Sequence, residues 1–296
     1  MTQQVLFQDT PHKYITPFTA QMLKWIGNKQ RFAHEIVGAF PEKFGSYHEP
    51  FLGSGAVLGT LAPNGKAFAS DIFKPLMEIW VTLKSDPERV KGWYRERWQI
   101  AHGQQKKEGY QKIKTAYNLS PNGADLLFLC RACYGGVVRF RQADGYMSTP
   151  CGIHEPISPE SFASRVDTWR KRIQFTEFST MDYREAMRKA RKGDLVYCDP
   201  PYRHSQSILY GGQQFQLEEL FEEIRKCKSR GVHVALSIDG TKKSGETVCE
   251  LPTPEDIFEE EIFVNVGRSM LRRFQMAGKT LETEMVSDRL LLTYML

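Results

Sequence analysis

The run Leu195-Val196-Tyr197-Cys198, closed by Asp199-Pro200-Pro201-Tyr202, constrains this chain more than any other stretch. Four apolar, β-branched or aromatic residues in a row have the length and character of a buried strand. Two consecutive prolines cannot donate ladder hydrogen bonds, so the strand must stop at Asp199. A strand buried on both faces belongs to a parallel sheet covered by helices, and in open α/β sheets the carboxyl edge is where ligands sit. An acid, two rigid peptides with free carbonyls and an aromatic ring are therefore placed at a ligand-binding edge. This set suits an exocyclic amino group. Asp199 and the Pro200 carbonyl accept its hydrogens, Tyr202 stacks on the attached ring, and the lone pair is aimed at an electrophile, so that orientation carries the chemistry. The plain alternative is a strand end with Asp199 as an ordinary turn residue.

A second motif precedes it. A strand from Ser46 leads into Glu49-Pro50-Phe51-Leu52-Gly53-Ser54-Gly55-Ala56-Val57. Its glycines make a tight turn whose main-chain amides can meet a polar ligand. It is not the full dinucleotide fingerprint, because position 58 is leucine, and it lacks the Lys-Ser/Thr pair of a phosphate loop. The next strand, Lys66 to Asp71, ends in an acid 22 positions after Glu49, where a ribose-binding carboxylate belongs in such a βαβ unit. Upstream lies Lys24-Trp25-Ile26-Gly27-Asn28-Lys29. Its glycine permits close approach to a ligand, the Trp25 face suits a sulfonium, and Lys29 suits a carboxylate. The bland reading has Trp25 in the core and Lys29 in solvent.

The strand–helix alternation holds from Phe32 through the helix at Ile72–Leu83. It lapses for about ninety residues and returns at Asp182, which caps a helix that Gly193 ends. Leu217, Leu220, Phe221, Ile224 and Cys227 mark an amphipathic helix, Val232–Ile238 a strand, and Ile257–Val266 with Arg289–Leu296 a final hairpin. The chain thus reads as an α/β domain formed by residues 1–84 and 176–296, interrupted by an insertion at 85–175. Charge follows the same division. The chain has 40 Lys+Arg and 35 Asp+Glu; 15 and 9 of these lie between Ser85 and Phe175, leaving 25 and 26 elsewhere. The whole basic excess sits in the insertion, among Trp93, Tyr94, Trp98, Tyr110, Tyr117, Tyr134 and Tyr146, which fits a polyanion with stackable bases.

Within the insertion, Leu126–Cys133 is a helical run, and Ser158-Pro159-Glu160 opens another helix with a cap, a first-turn proline and an acid on the dipole. Between them Asp144-Gly145 marks a hairpin turn. Arg139 and Arg141 share one face of its first strand, opposite Val138 and Phe140, and can read guanine edges or hold phosphates. Arg268, Arg272, Arg273 and Lys279 form a second basic loop. The six cysteines are scattered. Cys130 and Cys133 form a CxxC without a second pair or nearby histidine, so they read as two buried helix thiols and no metal site is expected. No apolar run reaches the length of a membrane span, and the start of the chain carries no secretory signal pattern. An intracellular, reduced protein is the expectation.

Lys-Trp-x-Gly-x-Lys, Glu-Pro-Phe-x-Gly-x-Gly, a second-strand Asp and Asp-Pro-Pro-Tyr, in this order around a basic insertion, resemble the Dam-type, α-ordered DNA adenine-N6 methyltransferases, which depend on S-adenosylmethionine. The resemblance covers nearly the whole chain. It implies a Rossmann-like methyltransferase sheet with helices on both faces, plus a mainly helical target-recognition insertion with a β-hairpin. It also implies a site-specific methyl transfer to N6 of a flipped adenine in double-stranded DNA. Trp25, Lys29, Glu49, Pro50, Phe51, Gly53, Gly55 and Asp71 would contact the cofactor, with Asp199 between cofactor and amine. Asp199, Pro200 and Tyr202 would be catalytic, and Tyr134, Arg139 and Arg141 would bind DNA, with Arg139 at the family's guanine-reading position. A cytoplasmic, monomeric, prokaryotic or phage protein is implied, with a cognate restriction endonuclease as a further partner. Departures fall at Ala132-Cys133, Gly136, Met147-Ser148-Thr149-Pro150 and Ser237-Ile238; those in the insertion bear on the target sequence rather than the chemistry. Two rivals remain. One is an RNA adenine-N6 methyltransferase, since a basic aromatic surface does not separate the two polymers. The other is an inactive methyltransferase-like module that only binds DNA.

Overall fold

The structure is a computed structural model, and it describes residues 13–141, 143–201, 215–239, 243–244, 247–248, 253–254, 256–265 and 287–296. Tyr202 and the basic loop Arg268–Lys279 lie outside them. Strands at Tyr47–Glu49 (β1), Ala67–Asp71 (β2), Thr176–Thr180 (β3), Leu195–Cys198 (β4) and His233–Asp239 (β5) pair in parallel in the order β3-β2-β1-β4-β5. Beyond β5 the sheet continues antiparallel through Ser287–Leu292 (β9), which pairs with Glu260–Asn265 (β8). A short ladder, Lys243–Ser244 (β6) with Thr247–Val248 (β7), stands apart. The central strands β1 and β4 are wholly buried, as a strand covered on both faces requires. The alternation of elements predicts an α/β domain, and this is the Rossmann-like arrangement that the resemblance implies.

Helices cover both faces. Ala33–Gly38 (α1), Ala56–Leu61 (α2) and Lys74–Ser85 (α3) belong to the first half of the sheet. Four further helices lie between β2 and β3, in the stretch read from sequence as an insertion: Pro87–Ile100 (α4), Lys106–Leu119 (α5), Gly123–Ala132 (α6) and Pro159–Arg172 (α7). Its helices begin where side chains satisfy orphan amides. Asp86 accepts from Arg89 N, Asn122 from Asp125 N and Ser158 from Ser161 N. The insertion does not hang from the sheet by a linker. Trp80 of α3 and Trp169 of α7 meet at 5.0 Å between ring centroids, and both are wholly buried in a core shared with the sheet. On the other face, Tyr183–Lys189 (α8) and Leu217–Ser229 (α9) pack with β4 and β5 in a second cluster.

Two sequence expectations are corrected in detail. The helix capped by Asp182 stops at Lys189, because Ala190 turns extended at ψ 138°. Gly193 instead takes φ +83° in the turn that follows, where its N–H donates to Gly231 O at 2.8 Å. The Asp144-Gly145 hairpin exists, but as an arm rather than two regular strands. Phe140 bridges Met147, Arg141 N donates to Tyr146 O at 2.9 Å, and Ser148 N to Arg139 O at 2.9 Å. The expected alternation is present, with Val138 and Phe140 buried and Arg139 and Arg141 exposed.

The contact between α2 and α7 is tight. A Cβ added at Gly59 would stand 2.5 Å from the Trp169 ring, and that ring is wholly buried. Gly59→Ala is expected to overpack the seam and cost about 1–3 kcal/mol, read as a lower thermal unfolding midpoint with unchanged helix content by circular dichroism.

Candidate active site at the carboxyl edge of the sheet

The carboxyl ends of β1, β2 and β4 are brought side by side by the parallel pairing, so Glu49, Asp71 and Asp199 converge although 150 residues separate the first from the last. They line a cleft of about 370 Å³ together with Trp25, Lys29, Pro50, Phe51, Gly53, Pro200 and Pro201. That volume suits a small-molecule ligand.

The glycine turn forms the floor. Leu52 N donates to Ser70 O at 3.0 Å and Gly55 N to Leu52 O at 2.8 Å. Gly53 and Gly55 sit at φ +49° and +65°, which L side chains avoid. A Cβ on Gly55 would stand 2.9 Å from Trp80, and one on Gly53 3.3 Å from Trp25. Asp71 closes the turn from β2, its carboxylate accepting from Gly53 N at 3.2 Å and Phe73 N at 3.0 Å. Burial pushes Asp71 up to about 6, and these amides oppose the shift. It is therefore a carboxylate at neutral pH.

Trp25 and Lys29 arrive from the segment before α1, which the insertion holds in place. Trp169 Nε1 donates to Ala20 O at 2.5 Å, Arg165 to Gln21 O at 2.5 Å, and Arg131 to Gln21 O and Met22 O at 3.0 and 2.8 Å. Three consecutive carbonyls are thus clamped just before Lys24-Trp25. Lys29 is 3% exposed, so it is not the solvated lysine of the bland reading. Its Nζ lies 2.9 Å from Asp199 Oδ1. The buried ammonium thus meets a partly exposed carboxylate, with side chains 4% and 19% exposed, and removing Asp199 would take a partner from a buried charge.

Glu49 stands closest to that pair among the acids. It is 2% exposed and accepts the Tyr47 hydroxyl proton at 2.6 Å. Burial first, then the Asp199 charge, raises it to about 8, against the Tyr47 hydrogen bond. At neutral pH the wall therefore holds a neutral carboxyl beside a Lys29–Asp199 ion pair. On the far side of Asp199, Tyr197 OH meets Ser237 Oγ at 2.9 Å.

One wall was not legible as a site. Met181, Asp182, Tyr183 and Arg184, after β3, and Phe215 also line the cleft. Tyr183 stacks on Phe51 at 5.1 Å, and Phe215 meets both rings edge-on. The result is an aromatic cluster that forms one wall of the cleft. The buried Tyr183 hydroxyl has no hydrogen-bond partner among the described residues. Asp182 signals itself in sequence only as a helix cap, and in the structure it does accept from Arg184 N.

Tyr134, Arg139 and Arg141 do not line the cleft. They belong to the arm beside it. Phe140 packs on Phe73 at 5.4 Å, and Phe73 on Trp25 at 5.9 Å. Arg139 and Tyr134 are exposed, whereas Arg141 folds back on Asp144 at 2.6 Å and over the Tyr146 ring at 4.3 Å. Cys130 and Cys133 are buried at the end of α6, as two structural thiols would be.

A parallel sheet with a glycine turn, a second-strand acid and an Asp-Pro-Pro edge around one cleft is the architecture of a Rossmann-like methyltransferase. A family model, that of the D12 class N6 adenine-specific DNA methyltransferases, matches residues 25–265, and the chain belongs to this family. It is 25% identical over 240 residues to the type II methyltransferase M1.LlaDCHI of Lactococcus lactis subsp. cremoris, covering 75% of this chain and 81% of that one. It is 27% identical to a DNA adenine methylase of Vibrio cholerae serotype O1, over 73% and 79% of the two chains. A DNA N-6-adenine-methyltransferase of Escherichia phage P1 is 26% identical over 78% of this chain but only 32% of its own length. Among the described residues no helix is long and apolar enough to cross a membrane.

The Glu49 environment sets a pH dependence of stability. Its folded-state value near 8 lies above the ordinary 4.5, so the native state holds a proton that the unfolded chain releases. Its stabilising contribution is complete below about 4.5 and lost as pH rises through about 8. Glu49→Gln keeps an acceptor for Tyr47 and carries no titrating proton. Its denaturant midpoint is expected to fall less steeply between pH 5 and pH 8.5 than that of the parent; equal slopes would refute the assignment.

Proposed function

We propose that the cleft binds S-adenosylmethionine and that the protein transfers its methyl group to N6 of an adenine rotated out of double-stranded DNA at a specific site. The single observation that carries this reading is that Asp199 and Pro200 line the same cleft as the glycine turn and Asp71. An amine-gripping acid and a nucleoside-sized site are thus one cavity. The residues fit the cofactor. Asp71 offers a carboxylate to ribose hydroxyls, the Phe51–Tyr183–Phe215 wall takes a flat base, the unpartnered Tyr183 hydroxyl faces a polar ring edge, and Trp25 offers a π-face to a cation.

When bound, S-adenosylmethionine supplies a sulfonium methyl, an electrophile that a neutral amine can attack. The protein supplies orientation. Asp199 and the Pro200 carbonyl accept the two N6 hydrogens, which directs the lone pair toward the cofactor side of the cleft. Lys29 holds Asp199 in place through its 2.9 Å contact, a charge-assisted pair. The N6 proton leaves through Asp199 to water; a carboxylate is a weak base, so its main contribution is positional. Tyr202 stacks on the extruded base in this reading and lies outside the described residues. Flipping costs a few kcal/mol, offset by these contacts.

Residues 85–175 serve as the target-reading part. Arg139 reads a base edge from the exposed face of the arm, while Tyr134 and Arg141 lie against the duplex. Arg141 reaches a phosphate once it leaves Asp144, an exchange of partners between two anions. Relatives named type II methyltransferases favour a restriction–modification role with a cognate endonuclease as partner.

Methyl transfer from radiolabelled S-adenosylmethionine to duplex DNA, with single-stranded DNA and RNA as competitors, tests the reading. Asp199→Ala is expected to lower the rate by about 10²–10³-fold, the scale of losing one preorganised electrostatic contact in the transition state. Retained activity, or preference for RNA, would overturn it. Arg139→Ala is expected to relax specificity at one base pair, at about 1–3 kcal/mol, seen by mapping N6-methyladenine in DNA from cells expressing each form. An unchanged map would remove Arg139 from base reading.

A further inference from the structure

We propose that Cys133 and Cys151 form an oxidisable cross-strand pair, a disulfide site that closes the base of the 134–150 arm. The two residues face each other across an antiparallel bridge. Tyr134 N donates to Pro150 O at 2.9 Å and Gly152 N to Ala132 O at 2.8 Å. The hydrogen bonds therefore flank the cysteines and do not join them. This makes Cys133–Cys151 a non-hydrogen-bonded antiparallel pair, whose Cα atoms stand about 4.5 Å apart with side chains on one face. Disulfides need a Cα separation of roughly 4.4–6.8 Å and Cβ atoms on the same side, and this register supplies both. The CxxC spacing points elsewhere, to Cys130–Cys133. But Cys130 is inside α6, and Cys133 is already in extended backbone at ψ 161°, so Cys133 faces Cys151 across the bridge rather than along the helix.

The surroundings assign the two thiols different parts. Each has only a weak acceptor, Cys130 O for Cys133 at 3.7 Å and Gly152 O for Cys151 at 3.5 Å, so turning either sulfur toward the other breaks nothing strong. Cys133 is 4% exposed, and burial pushes its thiol up to about 12. Cys151 is half-buried. Burial raises its thiol too, but Lys106, Lys107 and Lys114 pull it back. Cys151 is therefore the thiol that meets oxidant and Cys133 the one that resolves it. With hydrogen peroxide, the Cys151 sulfur takes one oxygen to give a sulfenic acid and one water. The Cys133 sulfur then attacks it, the S–S bond forms, and the hydroxyl leaves with the Cys133 proton as a second water. Two thiols lose two electrons and two protons, and the peroxide gains them.

The link fits the existing register, so it pins the arm where it stands. Only its consequence for substrate rests on the DNA reading above; the site itself does not. The test is non-reducing peptide mapping of the whole protein after peroxide or diamide treatment, with alkylation of remaining thiols. The expected result is one cross-linked species joining Cys133 to Cys151, reversed by dithiothreitol, absent in Cys151→Ser and retained in Cys130→Ser. Amide exchange across 134–150 is expected to slow severalfold in the oxidised form. A Cys130–Cys133 link, an intermolecular link, or full alkylation of Cys151 after oxidation would overturn the proposal. Unchanged exchange in cross-linked protein would overturn the pinning.

Discussion

Three acidic side chains at one sheet edge are a constraint that this fold must satisfy before anything else. Parallel pairing of β1, β2 and β4 leaves no choice about bringing Glu49, Asp71 and Asp199 together, and like charges in low dielectric repel strongly. Each is handled differently. Asp71 receives two main-chain amides, Asp199 receives the Lys29 ammonium, and burial raises Glu49 to about 8 although it accepts from the Tyr47 hydroxyl. The edge therefore carries two ionised acids, one cation and one neutral acid. That division separates the roles open to them. Asp199 can accept from an amine, Asp71 can accept from hydroxyls, and Glu49 sets the floor without adding charge.

The cation in this arrangement is delivered from a distance. Lys29 follows a stretch that has little secondary structure of its own, and the clamp on carbonyls 20–22 comes from α6 and α7 of the insertion. The same helices bury Trp169 against Trp80 and press α2 through Gly59. The part of the chain that carries the basic excess thus also shapes the wall of the cleft that holds Trp25 and Lys29. A disturbance of the insertion would be felt at Trp25 and Lys29. The aromatic contacts Phe140–Phe73–Trp25 make a second connection, from the arm to the cleft.

Much of this was legible beforehand because local chemistry dictates it. Pro200-Pro201 can only end a strand, Gly53 and Gly55 can only be a turn, and Ser158-Pro159 opens a helix whatever surrounds it. Where only local signals were available, their end points were less secure: Gly193 reads as a helix terminator and instead serves the next turn. The Asp182-Tyr183 wall was missed for a related reason. A helix cap and a cleft wall use the same residues, and nothing local separates the two uses.

The sequence by itself determined the strands that carry the site, the helices that flank them and the acids at the strand ends. Each follows from alternation of apolar residues, turn-formers and charge within a few positions. Only the tertiary structure decided that Lys29 meets Asp199 across 170 residues, that Tyr183 stacks on Phe51, and that Cys133 faces Cys151 between hydrogen bonds rather than on one. Such pairings depend on strand register and helix docking, which bring together side chains whose local sequences carry no information about one another.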